Sequence, residues 1–382
     1  MAKQKLPAVW MRAGTSKGLF IQREHLPKDL SQWAQPLIAA MGADPRQLNG
    51  VGGATSTTSK VAVVGISERD GIDVDYTFVQ VSVGGGKVDV TGNCGNMASG
   101  VGPFALQQGL VKRPRKGEKT VDIRVFNTNT NRVIVETLQV DESGDFREDG
   151  DYAMPGLQGI TGSEVKVAFV DPAGSMTDQL LPTGNGWDTL AVRGLVGDST
   201  AQSMVKATML DVANPFILVD ASSLPSEMQE PARDDISFLA AVESIRCEGA
   251  VRMGLANSLS AAALVRGTPK IAFIWGNGEA KHADSSTDIT VRSFSMGKPH
   301  PSLQLTGAVC ISAGVCLPGT IPYSLARHGY VLGKQELPPT PSRTPSPVWA
   351  GEAGSTASDF RIDSAHTTYT VKIKHPAGDV YF

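Results

Sequence analysis

Strand-like runs dominate this chain. KVAVVGIS from Lys60, DVDYTFVQVSV from Asp73, VDIRVFNTNTNRVIVETLQV from Val121, EVKVAFV from Glu164, ATMLDVANPFILVD from Ala207, PKIAFIW from Pro269, DITVRSFSM from Asp288 and TTYTVKIKH from Thr367 are rich in Val, Ile, Thr and aromatic residues. The polar stretch Asn127 to Asn131 interrupts the third run and predicts a hairpin. Helical patterns are fewer. They span about Leu30 to Met41, Cys94 to Leu110, and Asp234 to Cys247 with Asp234 or Asp235 as N-cap, and a fourth begins near Thr306. Many strands with a few long helices predict an α+β fold.

At roughly 100–200 residues per domain, a chain of 382 residues suggests two domains. LPTGNGWD, from Leu181 to Asp188, lies near the middle and reads as a crossover, dividing the chain into 1–187 and 188–382. A weak internal repeat supports related halves. When Cys94 is set on Thr306, Gly95 falls on Gly307 and Gly102 on Gly314, and both segments pass from a glycine turn into a small-residue helix. Leu337 to Asp359 is rich in Pro, Ser, Thr and Gly and reads as a loop.

Composition narrows the function. Hydrophobic residues are 41% and charged residues 19%, as in globular proteins. A net charge of -3 gives no footprint for nucleic acid, and no apolar run reaches the ~18 residues that span a bilayer. Basic residues at the N-terminus are followed by no apolar region of a secretory signal. Four cysteines without a C-x-x-C pair, and six histidines without close ligand spacing, point to free thiols in the cytoplasm and no metal. Glycine (41) and proline (23) make up about one residue in six, above average usage, which implies many tight turns and close backbone approaches.

Several segments could carry chemistry. In MRAGTSKGLF, from Met11 to Phe20, Lys17 precedes its glycine, so the segment is no phosphate loop; Ser16 and Lys17 could hold a carboxylate, or form a polar hairpin turn. In LNGVGGATSTTSKVAVV, hydroxyl residues including Thr55 and Ser56 lead to Lys60, which is either a desolvated base or a solvated edge lysine. TGNCGNM is the most informative. Cys94, between Asn93 and Gly95 and followed by Asn96 and Met97, stands at a helix start, where free amides and the helix dipole favour a thiolate or an anionic ligand. Against this stands the packing role common to buried cysteines. Lys298 and His300 precede Thr306, Gly307 and Ala308 at another helix start, and two such starts facing one cleft would suit a ligand with several carboxylates.

Taken together, these motifs resemble the PrpF-type isomerases, which include 2-methylaconitate, aconitate and methylitaconate isomerases and 4-oxalomesaconate tautomerase. MRAGTSKG resembles the family's opening motif, GGATSTTSKVAVV and TGNCGNM its central pair, and CEGAVRMGL, RSFSMGKPH, PGTI and HPAG its second-half landmarks. The resemblance implies a diaminopimelate epimerase-like fold: two pseudo-symmetric halves, each a sheet wrapped around a central helix, with the site between them and terminal strands free to exchange between halves. It also implies proton transfer by Lys60 and Cys94. Thr306 stands where epimerase relatives carry a second cysteine. Val90-Thr91 and Leu305-Thr306-Gly307 depart from the methylaconitate enzymes, and DVANPF from Asp211 is more similar to the tautomerase branch.

The expected activity is a cofactor-independent shift or geometric reset of a C=C bond in an unsaturated di- or tricarboxylate. Lys60 and Cys94 would move the proton. Charge would develop against amides at Asn93 to Asn96 and Gly307 to Ala308, with Ser16, Lys17 and Asn214 holding the other carboxylates. The expected partner is that small molecule, with no nucleic acid or membrane, and a homodimer is allowed. Three other readings remain: a 4-oxalomesaconate-type tautomerase, an amino-acid racemase or epimerase, and a non-catalytic carboxylate-binding protein.

Overall fold

The computed structural model describes residues 5–154, 156–157, 159–195, 201–230, 234–276, 287–326, 371–375 and 378–381. Leu337 to Asp359 and the first four residues of the run from Thr367 lie outside the described residues.

Strands β1 (Val9–Ala13) and β2 (Ser16–Gln22) form a hairpin. Helix α1 (Ala34–Met41) leads to β3 (Lys60–Ile66), parallel to β2, and β4 (Val74–Val81) returns antiparallel. A two-residue β5 (Val88–Asp89) pairs with the end of β4, and α2 (Gly95–Ala98) and α3 (Val101–Gln107) then lead to β6 (Thr120–Asn127), parallel to β4. The sheet is completed by β7 (Arg132–Gln139), a separate pair β8 (Tyr152–Ala153) and β9 (Thr161–Gly162) standing apart, and then β10 (Val165–Phe169).

A second sheet repeats this plan. After β11 (Asp188–Arg193), β12 (Gln202–Val212) and β13 (Asn214–Asp220) form its hairpin. Helices α4 (Ile236–Arg252) and α5 (Leu259–Leu264) lead to β14 (Lys270–Gly276), parallel to β13, and β15 (Ile289–Ser295) returns antiparallel. A two-residue β16 (Lys298–Pro299) precedes α6 (Leu305–Cys316) and α7 (Ile321–Leu325), after which β17 (Lys372–His375) lies parallel to β15 and pairs with β18 (Gly378–Tyr381). Thus β2 to β6 correspond in order to β13 to β17. This is the two-half, diaminopimelate epimerase-like α+β architecture. Each described strand stays with its own half: β1 pairs with β2, and β17 with β15, so no terminal strand is exchanged among them.

Burial on both faces explains the apolar runs of β3 and β14. From β3, Val61 and Val63 pack with Leu37 and Met41 of α1, while Ala62 and Val64 face Met97 and Phe104. From β14, Ile271, Phe273 and Trp275 meet α4, while Ala272 and Ile274 meet α6. Apolar on most of its circumference, α6 is sunk inside its sheet. The helix expected from Cys94 to Leu110 is broken in two near Gly100, where a side chain would strike the Phe20 ring, 2.6 Å from its Cβ position. Helix α4 outruns its expected end by five residues, from Cys247 to Arg252, and is capped by the Asp235 carboxylate, which accepts from Phe238 N–H at 3.0 Å. No helix among the described residues is long and apolar enough to cross a membrane.

Beneath α3, Glu136 is fully buried. Its Oε2 accepts from Gly102 N–H at 2.9 Å, and burial pushes its pKa from 4.5 to about 8. The folded carboxyl therefore stays protonated while the unfolded chain ionises. Its contribution is intact below pH 4.5 and is lost as pH rises toward about 8. In denaturant titrations, Glu136→Gln should gain on wild type by up to about 1.4 kcal/mol per pH unit across that window. A gap that does not change with pH would refute the assignment.

Candidate functional site

The starts of β3, α2, β14 and α6 converge between the two sheets on a small cavity that encloses about 20 Å³. Lys60, Cys94, Lys270 and Thr306 all line it. Lys60 is buried because it opens a strand covered on both faces. Its Nζ donates to Gln80 Oε1 at 2.9 Å, across the β3–β4 pair, and lies 4.9 Å from the Phe78 ring centroid. Gln80 Nε2 is tied in turn to the Ser59 carbonyl at 2.8 Å, which fixes the amide facing the lysine.

Cys94 is the N-cap of α2. Intrahelical bonding starts with Ala98 N–H donating to the Cys94 carbonyl, so the amides of Gly95, Asn96 and Met97 have no acceptor within the helix. In α6 the equivalent first bond runs from Ala308 N–H to the Gln304 carbonyl. By this helix register, Gln304 rather than Thr306 occupies the position of Cys94, and Thr306 sits two residues further in. Neither residue is a thiol. Both line the cavity, and Thr306 Oγ1 and both Gln304 amide atoms are buried without a hydrogen-bond partner among the described residues.

Asn93 joins the halves. Its Nδ2 donates to the Ala213 carbonyl at 2.9 Å, its N–H to Asn214 Oδ1 at 3.4 Å, and its Oδ1 accepts from Asn127 Nδ2 at 2.8 Å. The Asn93 amide is therefore spent on Asn214 and not offered to a ligand, contrary to expectation. The Ala308 amide, bonded within α6, is likewise removed from the expected oxyanion site. Asn214 lies behind Asn93, fully buried, with its Nδ2 unpartnered among the described residues.

Of the remaining expected residues, Gly95, Asn96 and His300 line the cavity. His300 Nδ1 contacts the Ser302 carbonyl, and burial lowers the imidazole pKa to about 3, so it is neutral at ordinary pH. Ser16 is buried but is not among the residues lining the cavity, and its hydroxyl is unpartnered among the described residues. Others point elsewhere. Strand alternation turns Lys17 outward, over the Trp10 ring, and Lys298 is exposed on β16. Thr55 is exposed and bonded to Thr57 and Thr58, whereas Ser56 presents only its carbonyl, to Gln80. Met97 is core, and Gly307 packs on Phe216.

Among the cavity groups that escaped the sequence reading are Gln80, Gln304 and Lys270. Gln80 and Gln304 carry no local signal. Lys270 does: Lys-Ile-Ala-Phe-Ile from Lys270 repeats Lys-Val-Ala-Val-Val from Lys60. Lys270 is buried, and its Nζ donates to the Asn93 carbonyl at 3.2 Å. Burial, aided by the neighbouring Lys60 and opposed by Cys94, lowers its pKa to about 8.

A larger crevice of about 830 Å³ lies outside and meets the inner cavity at Asn96. At its inner end the Gly14–Thr15 turn approaches the second half. Gly14 has left-handed φ, and Thr15 N–H donates to Asn96 Oδ1 at 3.3 Å. The Thr15 and Ser302 hydroxyls share a hydrogen bond of 2.8 Å across the crevice. No three His, Cys, Asp or Glu side chains cluster as metal ligands among the described residues.

Two sheet-wrapped helices that start at one cavity holding a lysine and a thiol are the architecture of an epimerase-like isomerase. The chain belongs to the PrpF family, whose profile, described as PrpF protein, matches residues 3–333. It is 37% identical over 338 residues to a 2-methyl-aconitate isomerase of Cupriavidus necator, covering 83% of each chain. It is 34% identical over 335 residues to a 4-oxalomesaconate tautomerase of Pseudomonas putida, covering 85% of this chain and 84% of that one. The crystal structure of a methylitaconate-delta-isomerase matches with a TM-score of 0.67 at 30% identity, covering 98% of this chain and 88% of that one. The protein is an isomerase of this family.

Because Lys17 and Lys298 are exposed and turned from the cavity, Lys17→Ala and Lys298→Ala should each leave kcat/KM within about threefold of wild type. A loss of a hundredfold in steady-state assays would return them to the site.

Proposed function

We propose that this isomerase acts without a cofactor on an unsaturated di- or tricarboxylate of the 2-methylaconitate or aconitate type. It would move the double bond or reset its geometry by taking and returning a proton. The observation that carries this reading is the meeting of Lys60, Cys94 and two helix starts in one buried cavity whose Thr306 and Gln304 polar atoms lack partners. Buried polar atoms without partners are costly, and an anionic ligand would accept from the Thr306 hydroxyl and Gln304 Nε2.

Such a substrate has an allylic C–H made acidic by a conjugated carboxylate. Lys60 removes that proton as base, the electron pair spreads into a dienolate, and Cys94, as acid/base partner, returns a proton at the other end of the conjugated system. Negative charge grows against the free first-turn amides at Gly95–Asn96 and at Thr306–Gly307, where fixed donors stabilise it most. Electrons are conserved throughout, so no redox group is needed. A polycarboxylate exceeds the inner cavity, so its admission requires the cavity to widen. The free thiols support a cytoplasmic setting. Amino-acid racemisation is disfavoured because the start of α6 carries Gln304 as N-cap and Thr306 as second residue, neither a strong acid–base group.

Lys60→Ala and Cys94→Ser should each lower turnover by ~10²–10⁴. Steady-state rates near normal in both variants would overturn the assignment. Proton NMR in D₂O with cis- and trans-aconitate, 2-methylaconitate, methylitaconate and oxalomesaconate should show deuterium entering at the carbon that gains or loses the double bond. Turnover of oxalomesaconate alone would favour the tautomerase branch, and exchange with none would refute the reading.

A further inference from the structure

Lys270 has no part in the chemistry above, yet it occupies the place of Lys60 in the other half. Each lysine is the first residue of the strand that follows its half's outer helix and lies parallel to the hairpin strand, with Gly18 opposite Lys60 and Phe216 opposite Lys270. The pseudo-two-fold therefore brings both amines into the same cavity from opposite sides. We propose that Lys270 is a further catalytic residue, an ammonium that holds the substrate carboxylate into which the dienolate charge spreads. This rests on the polycarboxylate reading of the site and extends it.

Three independent features support the assignment. Lys270 is 8% exposed, and among the described residues no carboxylate pairs with it; its recorded partners are the Asn93 carbonyl and the Phe216 ring, 5.9 Å away. A buried ammonium without a counter-ion is costly, and an anion that pairs with it offsets that cost. Thr306 and Gln304, 1% and 4% exposed, bring unpartnered polar atoms to the same cavity at the start of the twelve-residue α6. Finally, the ionisable groups that act on Lys270 are an amine, thiols and an imidazole rather than carboxylates. They are Lys60 on β3, Cys94 at α2, Cys310 on α6 and the neutral His300. Asp89, the one carboxylate lining the cavity, already accepts from the Thr91 N–H and hydroxyl.

Its part in the reaction leaves the proton count unchanged. When the allylic C–H bond breaks, the proton goes to the base and the electron pair passes through the alkene onto the conjugated carboxylate. The Lys270 ammonium donates hydrogen bonds to those oxygens while keeping its own protons. Protonation of the remote carbon then draws the pair back into a C=C bond. Because the free amine has a pKa of about 8, the ammonium prevails at neutral pH and is lost above it.

The test uses the full chain and the saturated tricarboxylate tricarballylate as probe, with affinity measured by calorimetry from pH 6.5 to 9.5. Wild-type affinity should fall at least about tenfold above pH 8, Lys270→Arg should bind with little change over that range, and Lys270→Gln should bind weakly throughout. On whichever alkene the wild type turns over, Lys270→Gln should lose about 10²-fold in kcat, and Lys270→Arg should recover most of it without the alkaline decline. Three results would overturn the proposal: wild type fails to bind tricarballylate, Lys270→Arg keeps the wild-type pH dependence, or Lys270→Gln with an unchanged melting curve binds and turns over within threefold of wild type. If wild type binds tricarballylate but exchanges no proton on any alkene, the isomerase reading fails and takes the catalytic part of Lys270 with it. Should Lys270→Gln fail to fold, the pH dependence of Lys270→Arg decides alone.

Discussion

Two lysines buried at the first residue of buried strands govern the chemistry of this molecule. Burying an amine in a folded core costs several kcal/mol unless polar groups replace its water. Here Lys60 takes the Gln80 side chain and Lys270 the Asn93 carbonyl, both neutral acceptors. Neither acceptor supplies a counter-charge. The Lys270 ammonium, with no carboxylate partner among the described residues, therefore makes the interior electropositive and leaves it for a ligand to neutralise. The architecture makes this unavoidable, since β3 and β14 are covered by helices on both faces and their first residues have nowhere to go but the seam between halves.

That seam is held by amide side chains. Asn127, itself bound to the backbone of Asn129 and Thr130, positions Asn93, and Asn93 clamps the Ala213–Asn214 turn of the other half. Cys94 follows directly in sequence, so the clamp that joins the halves also sets the place of the thiol. Tyr76 adds a long contact of 3.5 Å from its hydroxyl to the Cys94 carbonyl. Assembly of the two sheets and alignment of the reactive groups are consequences of one set of contacts.

Much of this could be read in the chain. Alternation and β-branched content revealed the strands, and the glycine-flanked Cys94 announced a helix start. Lys60 could be singled out because a hydroxyl-rich loop runs into an apolar strand. What remained hidden depends on long-range register or on strand parity. Gln80 matters only because β4 pairs residue for residue with β3. Lys17 looked as suitable as Ser16, but period-two alternation sends the two to opposite faces. The repeat read at the two helix starts rests on glycines that coincide by composition, and the helix caps set it two residues away. It is plainer in the five residues from Lys60 and from Lys270, where identical constraints on a doubly buried strand keep the same pattern.

The hydroxyl pair of Thr15 and Ser302 bridges the inner end of the crevice without any charge. A neutral bond of this kind contributes about 1 kcal/mol net, and ionic strength does not screen it. Added salt would therefore slow the approach of a polyanion to the electropositive interior while leaving this bond between the halves as easy to break. Entry and capture are thus separable: one answers to the ions in solution, the other only to the mechanics of the two halves.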